Sequence, residues 1–209
     1  TAMVYNGVDE VKLSKLPIID IRKELGIDAK ATIVCSVGNI RPAKGYKYLV
    51  KAAALLKEQG ENFHFVIVGH QKEPLMGELN NLAKQLDVED RLWFLGFKDN
   101  AQSYLKSADI FLSSSTSEGF SISTVEAMLA KVPIVATASG GPEEILQTGV
   151  TGTLVAPKDA GEIANALLTV KNTPKAQNKM ITAAYDAAQK RFALSVMLEQ
   201  YKALYHPIL

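Results

Sequence analysis

The stretch SSSTSEGFSISTVEAMLAKVPIVAT, Ser113 to Thr137, reads as a turn, a helix and a strand in that order. Small hydroxylic residues lead into Glu118-Gly119. Ile122, Val125 and Leu129 then recur at helical spacing, and Ile134-Val135-Ala136 has the look of a buried strand. The apolar run that ends in Phe111-Leu112 precedes it, so the whole is one strand–helix–strand unit. Such a unit predicts parallel strands joined by a right-handed crossover. Two carboxylates stand out. Glu118 follows the first strand. Glu126 lies in the helix, one turn after Ile122 and at the edge of its apolar stripe. A carboxylate at that edge costs free energy unless it is paired. A donor-rich partner such as a sugar diol would offset the cost, and so would an exit to solvent.

The same alternation extends in both directions. Toward the N-terminus lie a short apolar run at 31–38 and a helical pattern at 44–60, with Leu49, Ala52, Ala53 and Leu56 on one face and Gly60 as its stop. A strand at 63–70, a helix at 75–86, a strand at 91–97, a short helix at 100–108 and a strand at 109–115 follow. Beyond the central stretch come a short helix PEEILQ, a strand GTLVAP and three helices. Six strands interleaved with helices predict an α/β fold, a doubly wound, Rossmann-like parallel sheet closed by C-terminal helices. The strands are continuous apolar runs, as required when both sheet faces are covered. No repeat or low-complexity tract interrupts the pattern. Residues 1–209 are therefore read as one domain, with 1–20 as an entering linker segment.

Composition narrows the function. Of the 209 residues, 47% are hydrophobic and 22% charged, and the net charge is +1. That balance gives no electrostatic case for nucleic acid. The one cysteine, Cys35, lies in an apolar strand and excludes an intrachain disulfide. No run approaches the roughly 18 apolar residues of a membrane span. A cytoplasmic setting fits a lone buried thiol. The opening TAMVYNG lacks an initiator Met, and the chain is expected to be a piece of a longer protein.

In a sheet of this type ligands bind at the carboxyl ends of the strands. Five loops lie there: VGNIRPAKG, VGHQKEP, LGFKDN, SSSTSEGFS and TASGGPEE. In the first, Gly38 closes a strand, and Arg41 and Lys44 come just before or at a helix start. Cations there oppose the helix dipole, which suggests a compensating anion; a solvated loop is the plainer reading. The loop is neither a dinucleotide fingerprint nor a Walker loop. In the fourth, Glu118 and Gly119 turn the chain, and the amides of Phe120, Ser121 and Ile122 fall at a helix N-terminus, where they suit a phosphate. The glycines, Pro142, Glu143 and Glu144 of the fifth read as turn and helix-start chemistry. His64 reads as strand packing, His70 as a strand-end residue within reach of a ligand, and His206 as tail. Histidines so scattered do not make a zinc site.

The ordered set of motifs resembles the group 1, or family 4, retaining glycosyltransferases of GT-B fold. Their hallmark, Glu, seven residues, Glu, is met by Glu118 and Glu126. VYNGVD resembles the segment entering their C-terminal domain, VGNIRPAKG their diphosphate loop, RLWFLGF the strand beside the base, and KRFALSVMLEQYKALY their last helices. The resemblance covers nearly the whole chain and implies the C-terminal, donor-binding half. It implies that Glu118 lies by the donor sugar and the reacting centre, and that Glu126 accepts hydrogen bonds from ribose hydroxyls. Gly38, Arg41 and Lys44 would serve the donor diphosphate, Gly119, Phe120, Ser121 and Ile122 the sugar-phosphate end, and Phe97 and Lys98 the base. The partners implied are a nucleoside-diphosphate sugar, UDP- or GDP-linked, and an acceptor glycan or lipid held by an N-terminal domain. Any contact with the inner membrane face would also run through that domain. No cofactor and no metal are expected, since no D-x-D motif occurs and cations can neutralise the leaving diphosphate. Retention would proceed by front-side attack, a donor phosphate oxygen taking the acceptor proton.

Three positions depart from the family pattern. Asn39 stands where the usual phosphate Arg would be, which leaves Arg41 as its substitute. VGHQKEP lacks a second glycine, and Ser114 replaces a proline. The rival readings are a non-catalytic nucleotide-sugar-binding module or subunit, a nucleotide-sugar epimerase on the same fold, and a dinucleotide-dependent oxidoreductase. The intact Lys44, Glu118 and Glu126 argue against the first, the Glu pair against the second and the missing G-x-G-x-x-G against the third.

Overall fold

The computed structural model describes residues 2–205. Two short helices, α1 (Glu10–Lys15) and α2 (Ile21–Leu25), precede the first strand. Then follow β1 (Thr32–Val37), α3 (Tyr46–Glu58), β2 (Phe63–Val68), α4 (Leu75–Gln85), β3 (Leu92–Phe94) and α5 (Ala101–Leu105). The second half runs β4 (Ile110–Ser113), α6 (Ile122–Leu129), β5 (Ile134–Thr137), α7 (Gly141–Ile145) and β6 (Thr153–Val155), and closes with α8 (Ala160–Asn172), α9 (Pro174–Phe192) and α10 (Leu194–Tyr205). The six strands form one sheet of order β3-β2-β1-β4-β5-β6, and every pairing is parallel. This is the Rossmann-like topology expected from the alternation. The order reverses between β1 and β4, the switch point at which sheets of this type bind ligands.

Strand periodicity explains the two-layered core. Successive side chains point to opposite faces. Ile33, Cys35, Val66, Val68 and Phe111 face one layer, where α2, α5, α6 and α9 pack. Val34, Phe65, Ile67, Ile110, Leu112 and Val135 face the other, covered by α3, α4 and α8. The central strands β1, β2, β4 and β5 are buried on both sides, which is why they read as unbroken apolar runs. The edge strands β3 and β6 are only half-buried.

Two helices lie ahead of β1, the first of them within the 1–20 segment read from the sequence as an entering linker. Each starts at an aspartate whose side chain accepts from a first-turn amide: Asp9 from Lys12 N, and Asp20 from Lys23 N. The entering segment is bound to the exit from α9. Val8 N donates to Phe192 O at 2.8 Å, and Leu194 N donates to Val8 O at 2.9 Å. Tyr5, Phe120 and Phe192 form an aromatic trio with ring centroids 5.5–5.7 Å apart. Phe120 thereby ties the loop after Glu118 to the chain's entry and exit.

No helix among the described residues is long and apolar enough to cross a membrane.

Candidate functional site

Three loops converge at the carboxyl ends of β1, β2 and β3. Gly38 N donates to Val68 O, Ile40 N to His70 O, and Gly69 N to Gly96 O, all at 2.8–2.9 Å. A Cβ on Gly69 would lie 2.2 Å from Gly38 O, so the approach requires glycine. After β1 the chain makes a single 3-10 turn, Pro42–Lys44, and enters α3 through Gly45 in the left-handed conformation, φ 63°. That turn is laced to the end of β4. Thr116 N donates to Ala43 O at 2.7 Å, Ser114 Oγ donates to Lys44 O at 3.0 Å, and a Cβ on Gly45 would come within 2.1 Å of Ser114 O.

This lacing brings Lys44 to Glu118. The ammonium nitrogen lies 2.5 Å from Glu118 Oε2, and Ser115 Oγ donates to the same oxygen at 3.2 Å. Both charged side chains are largely covered, with 23% and 16% of their surface exposed. The loop read most plainly as solvated thus holds Lys44 against an anion of the chain itself, the first glutamate of the pair. Behind them the buried Tyr46 hydroxyl donates to Gly38 O at 2.8 Å and pins the turn from inside. Burial above all, reinforced by the Glu118 carboxylate, raises the Tyr46 pKa, so the phenol stays a donor.

Glu118 is itself held by its backbone. Its N–H donates to Ser139 O at 2.9 Å, and its carbonyl accepts from Gly141 N at 2.7 Å. Gly140, at φ 111°, would put a Cβ 2.7 Å from Glu118 O, and a Cβ on Gly141 would meet Gly119 O at 2.8 Å. The Gly140-Gly141 pair, read from the sequence as turn chemistry alone, is also the bed on which the Glu118–Gly119 turn rests. Gly119 differs. Its φ is not left-handed and a Cβ there would meet open space. Neither conformation nor protein neighbours require glycine at that position.

Helix α6 starts three residues later, at Ile122, without a side-chain cap. Ser121 Oγ instead accepts from Thr124 Oγ1 at 2.8 Å. Among the described residues the amides of Phe120, Ser121 and Ile122 find no protein acceptor. They remain donors at the positive end of an eight-residue helix. Ile122, expected on the buried stripe, is 47% exposed, while Val125 and Leu129 are buried. The stripe begins one turn later because the first turn faces a cavity.

That cavity, of about 250 Å³, is lined by Ile122 and Glu126 of α6, by Asp99, Asn100 and Gln102 before and within α5, and by Asp9 and Lys12 of the entering segment among others. Glu126 Oε1 accepts from Gln102 Nε2 at 2.7 Å. Burial pushes the Glu126 carboxyl above the ordinary glutamate range, and the Gln102 hydrogen bond partly offsets that rise. The residues singled out for a base are not among those that line it, although Asp99, next to Lys98, is. Phe97, 56% exposed, stacks on His70 with centroids 4.4 Å apart, and the Lys98 ammonium sits over the Tyr104 ring. Arg41 is exposed and lines a separate cavity of about 540 Å³ between the first turns of α3 and α4, with Lys47 and Lys72. Asn39 accepts from His70 N through its side-chain oxygen, so it fixes one loop to the next.

His64 lies near the start of β2, away from these loops, where Trp93 Nε1 donates to its Nδ1 at 3.2 Å. His206 lies outside the described residues. Among the described residues no group of three His, Cys, Asp or Glu side chains is placed to hold a metal ion.

The arrangement is that of a Rossmann-like half-domain with its loops gathered where the strand order reverses. The family model described as glycosyl transferases group 1 matches residues 17–187. N-acetyl-alpha-D-glucosaminyl L-malate synthase of Bacillus anthracis is 29% identical over 206 residues, covering 99% of this chain and 53% of that protein. The crystal structure of Anabaena HepE in complex with UDP and glucose superposes with a TM-score of 0.87 at 28% identity, over 97% of this chain and 56% of that one. The C-terminal domain of the group 1 family protein LpcC from Francisella tularensis superposes at 0.73 and 26% identity, covering 90% of this chain and all of that one. The chain belongs to the group 1 glycosyltransferases, and its sheet is one Rossmann-like half of their GT-B fold. It spans about half the length of the curated relative described above.

Proposed function

We propose that this chain binds a nucleoside-diphosphate sugar and forms the donor half of a retaining glycosyltransferase. The observation that carries the reading is the Lys44–Glu118 pair at the turn leading into the uncapped first turn of α6, the helix that carries Glu126 into its cavity. The solved complexes of Anabaena HepE with UDP and glucose support it from outside the chain. A diphosphate laid over Phe120–Ile122 meets free amides and a helix dipole, and it draws the Lys44 ammonium from Glu118. The open space over Gly119 suits a ligand pressed on the backbone. The ribose diol is assigned to Glu126. Glu118, released from its ion pair, then faces the sugar, where a carboxylate stabilises an oxocarbenium-like transition state. Leaving-group charge falls on Lys44 and α6, which makes the transfer metal-independent. Attack comes from the front side, with a donor phosphate oxygen accepting the acceptor's proton. The acceptor, a glycan or lipid, belongs to a preceding domain, as does any contact with the inner membrane face; the setting is cytoplasmic.

Calorimetry with UDP, GDP and ADP tests the reading directly. One of the three binds, in EDTA as in buffer, and the isolated chain transfers no sugar. Failure of all three to bind overturns the donor assignment. Sugar transfer by the isolated chain overturns the half-domain assignment.

A further inference from the structure

We infer that Gln102 is a positioning residue for the second glutamate, presenting the Glu126 carboxylate to the ribose diol. The inference rests on the ribose assignment of Glu126 and extends it to a residue outside the family motif. Gln102 sits in the first turn of α5, and its backbone is firmly placed. Its neighbours Ser103, Tyr104 and Leu105 are buried, and Lys106 N donates to Gln102 O at 3.1 Å. Its side chain reaches across the cavity to Glu126 Oε1 at 2.7 Å.

The chemistry fixes the amide's orientation. An ionised carboxylate only accepts, so the NH₂ group must face it and the amide oxygen must turn away. Two consequences follow. A glutamate side chain has three rotatable bonds, and one bond to a rigid partner removes the rotamers that would aim it elsewhere; less ordering is then left for ligand binding to impose. A donor on Oε1 also favours the charged form of a carboxylate whose burial disfavours it, and the charged form is the one that accepts from both hydroxyls of a diol. Among the described residues Oε2 has no protein donor, and it is the oxygen left for the ligand. Fixing one oxygen and offering the other is how a supporting residue prepares a binding group.

The test separates positioning from structure by changing the ligand. Gln102→Met keeps the length and removes the donor; Gln102→Lys keeps an N–H donor of similar reach. The 209-residue chain is titrated with UDP and with 2′,3′-dideoxy-UDP, or with GDP and its dideoxy analogue where GDP binds more tightly, and melting temperature is recorded for each variant. Gln102→Met weakens the ribonucleotide by about fivefold, the scale of one modest hydrogen bond. It leaves the dideoxy nucleotide within about twofold, and Gln102→Lys restores the ribonucleotide. Equal loss for both nucleotides, or no loss for either, overturns the inference. Glu126→Ala in the same titration keeps the two assignments distinct. If its loss depends on the hydroxyls while that of Gln102→Met does not, only the positioning role falls. If the Glu126→Ala loss is independent of the hydroxyls, the ribose assignment falls with it.

Discussion

Lys44 and Glu118 stand 74 positions apart in the chain, yet the ammonium of one lies 2.5 Å from the carboxylate of the other. The pair bridges the two loops that flank the switch point of the sheet, and both partners are mostly covered. A charge pair so placed is held by geometry, and each member is stranded when the other is removed.

Lys44→Ala therefore has two expected effects. Nucleoside diphosphate binding weakens by roughly 10- to 100-fold, the worth of one charge-assisted contact, while nucleoside binding is nearly unchanged. The free protein also loses about 1–3 kcal/mol, because Glu118 keeps only Ser115 as a side-chain donor. Calorimetry with diphosphate and nucleoside, together with urea denaturation, reads both. Equal weakening for the two ligands rules out a phosphate-specific role.

The β1–α3 turn gives a second expectation. Gly45 and Gly26 share nearly the same left-handed conformation, φ 63° and 66°. A Cβ at Gly26 meets nothing within 4 Å, while one at Gly45 strikes Ser114 O at 2.1 Å. Gly26→Ala costs only the conformational penalty, about 1–2 kcal/mol. Gly45→Ala costs more, by about 1–3 kcal/mol of forced backbone movement. It also weakens nucleoside diphosphate binding, because Lys44 rides on that turn. Equal denaturation midpoints for the two variants would contradict the close approach.

The sheet was legible because its four central strands are buried on both faces, and burial on both faces writes itself as unbroken β-branched and aromatic runs. The Glu118–Glu126 spacing and the glycine turns were legible because they are local. Tyr46, Gln102 and Gly140-Gly141 were not. Tyr46 reads as one more apolar residue on α3 until its hydroxyl is seen on Gly38 O. Gln102 carries no pattern; only the crossing of α5 beside α6 brings it to Glu126. The glycine pair was read as a turn because nothing local says that another backbone lies against it. The first turn of α1 lines the cavity although its sequence suggested a linker, since a six-residue helix shows too little periodicity to be read. The placing of Phe97 and Lys98 outside that cavity likewise depends on how a loop folds back after β3.

Cys35 offers a test of the core. Burial pushes its thiol up to about 12, so almost no thiolate exists at neutral pH. The thiolate is the reactive species, and β1 must open before reagent can reach it. Labelling by a thiol reagent in the folded chain is expected to run orders of magnitude slower than in urea. Nucleotide at saturating concentration slows it further by stabilising the fold. Fast labelling under native conditions would show that the central strand opens locally.

The last expectation concerns acid. The folded-state pKa of Glu126 is raised, chiefly by burial. Between the ordinary glutamate value and the raised one, the folded chain holds a proton that the unfolded chain has lost. The ionised carboxylate therefore destabilises the ligand-free fold fully above the raised value, and the penalty disappears as pH falls below the ordinary one. Glu126→Gln removes that dependence. The variant is expected to match or exceed wild-type stability at neutral pH, by about 1 kcal/mol or less, and the difference shrinks toward pH 4. Binding runs the opposite way. A ribose diol donates to the ionised form, so ligand binding in the window expels the proton and affinity rises with pH. Phosphate ionisation adds its own pH dependence, but it is common to both proteins and cancels when their affinities are compared. Calorimetry with the tightest-binding diphosphate at several pH values, on wild type and Glu126→Gln, gives curves that diverge as pH rises through the window. Parallel curves would mean that the Glu126 proton is indifferent to the ligand, and the carboxylate would then have no part in holding the ribose.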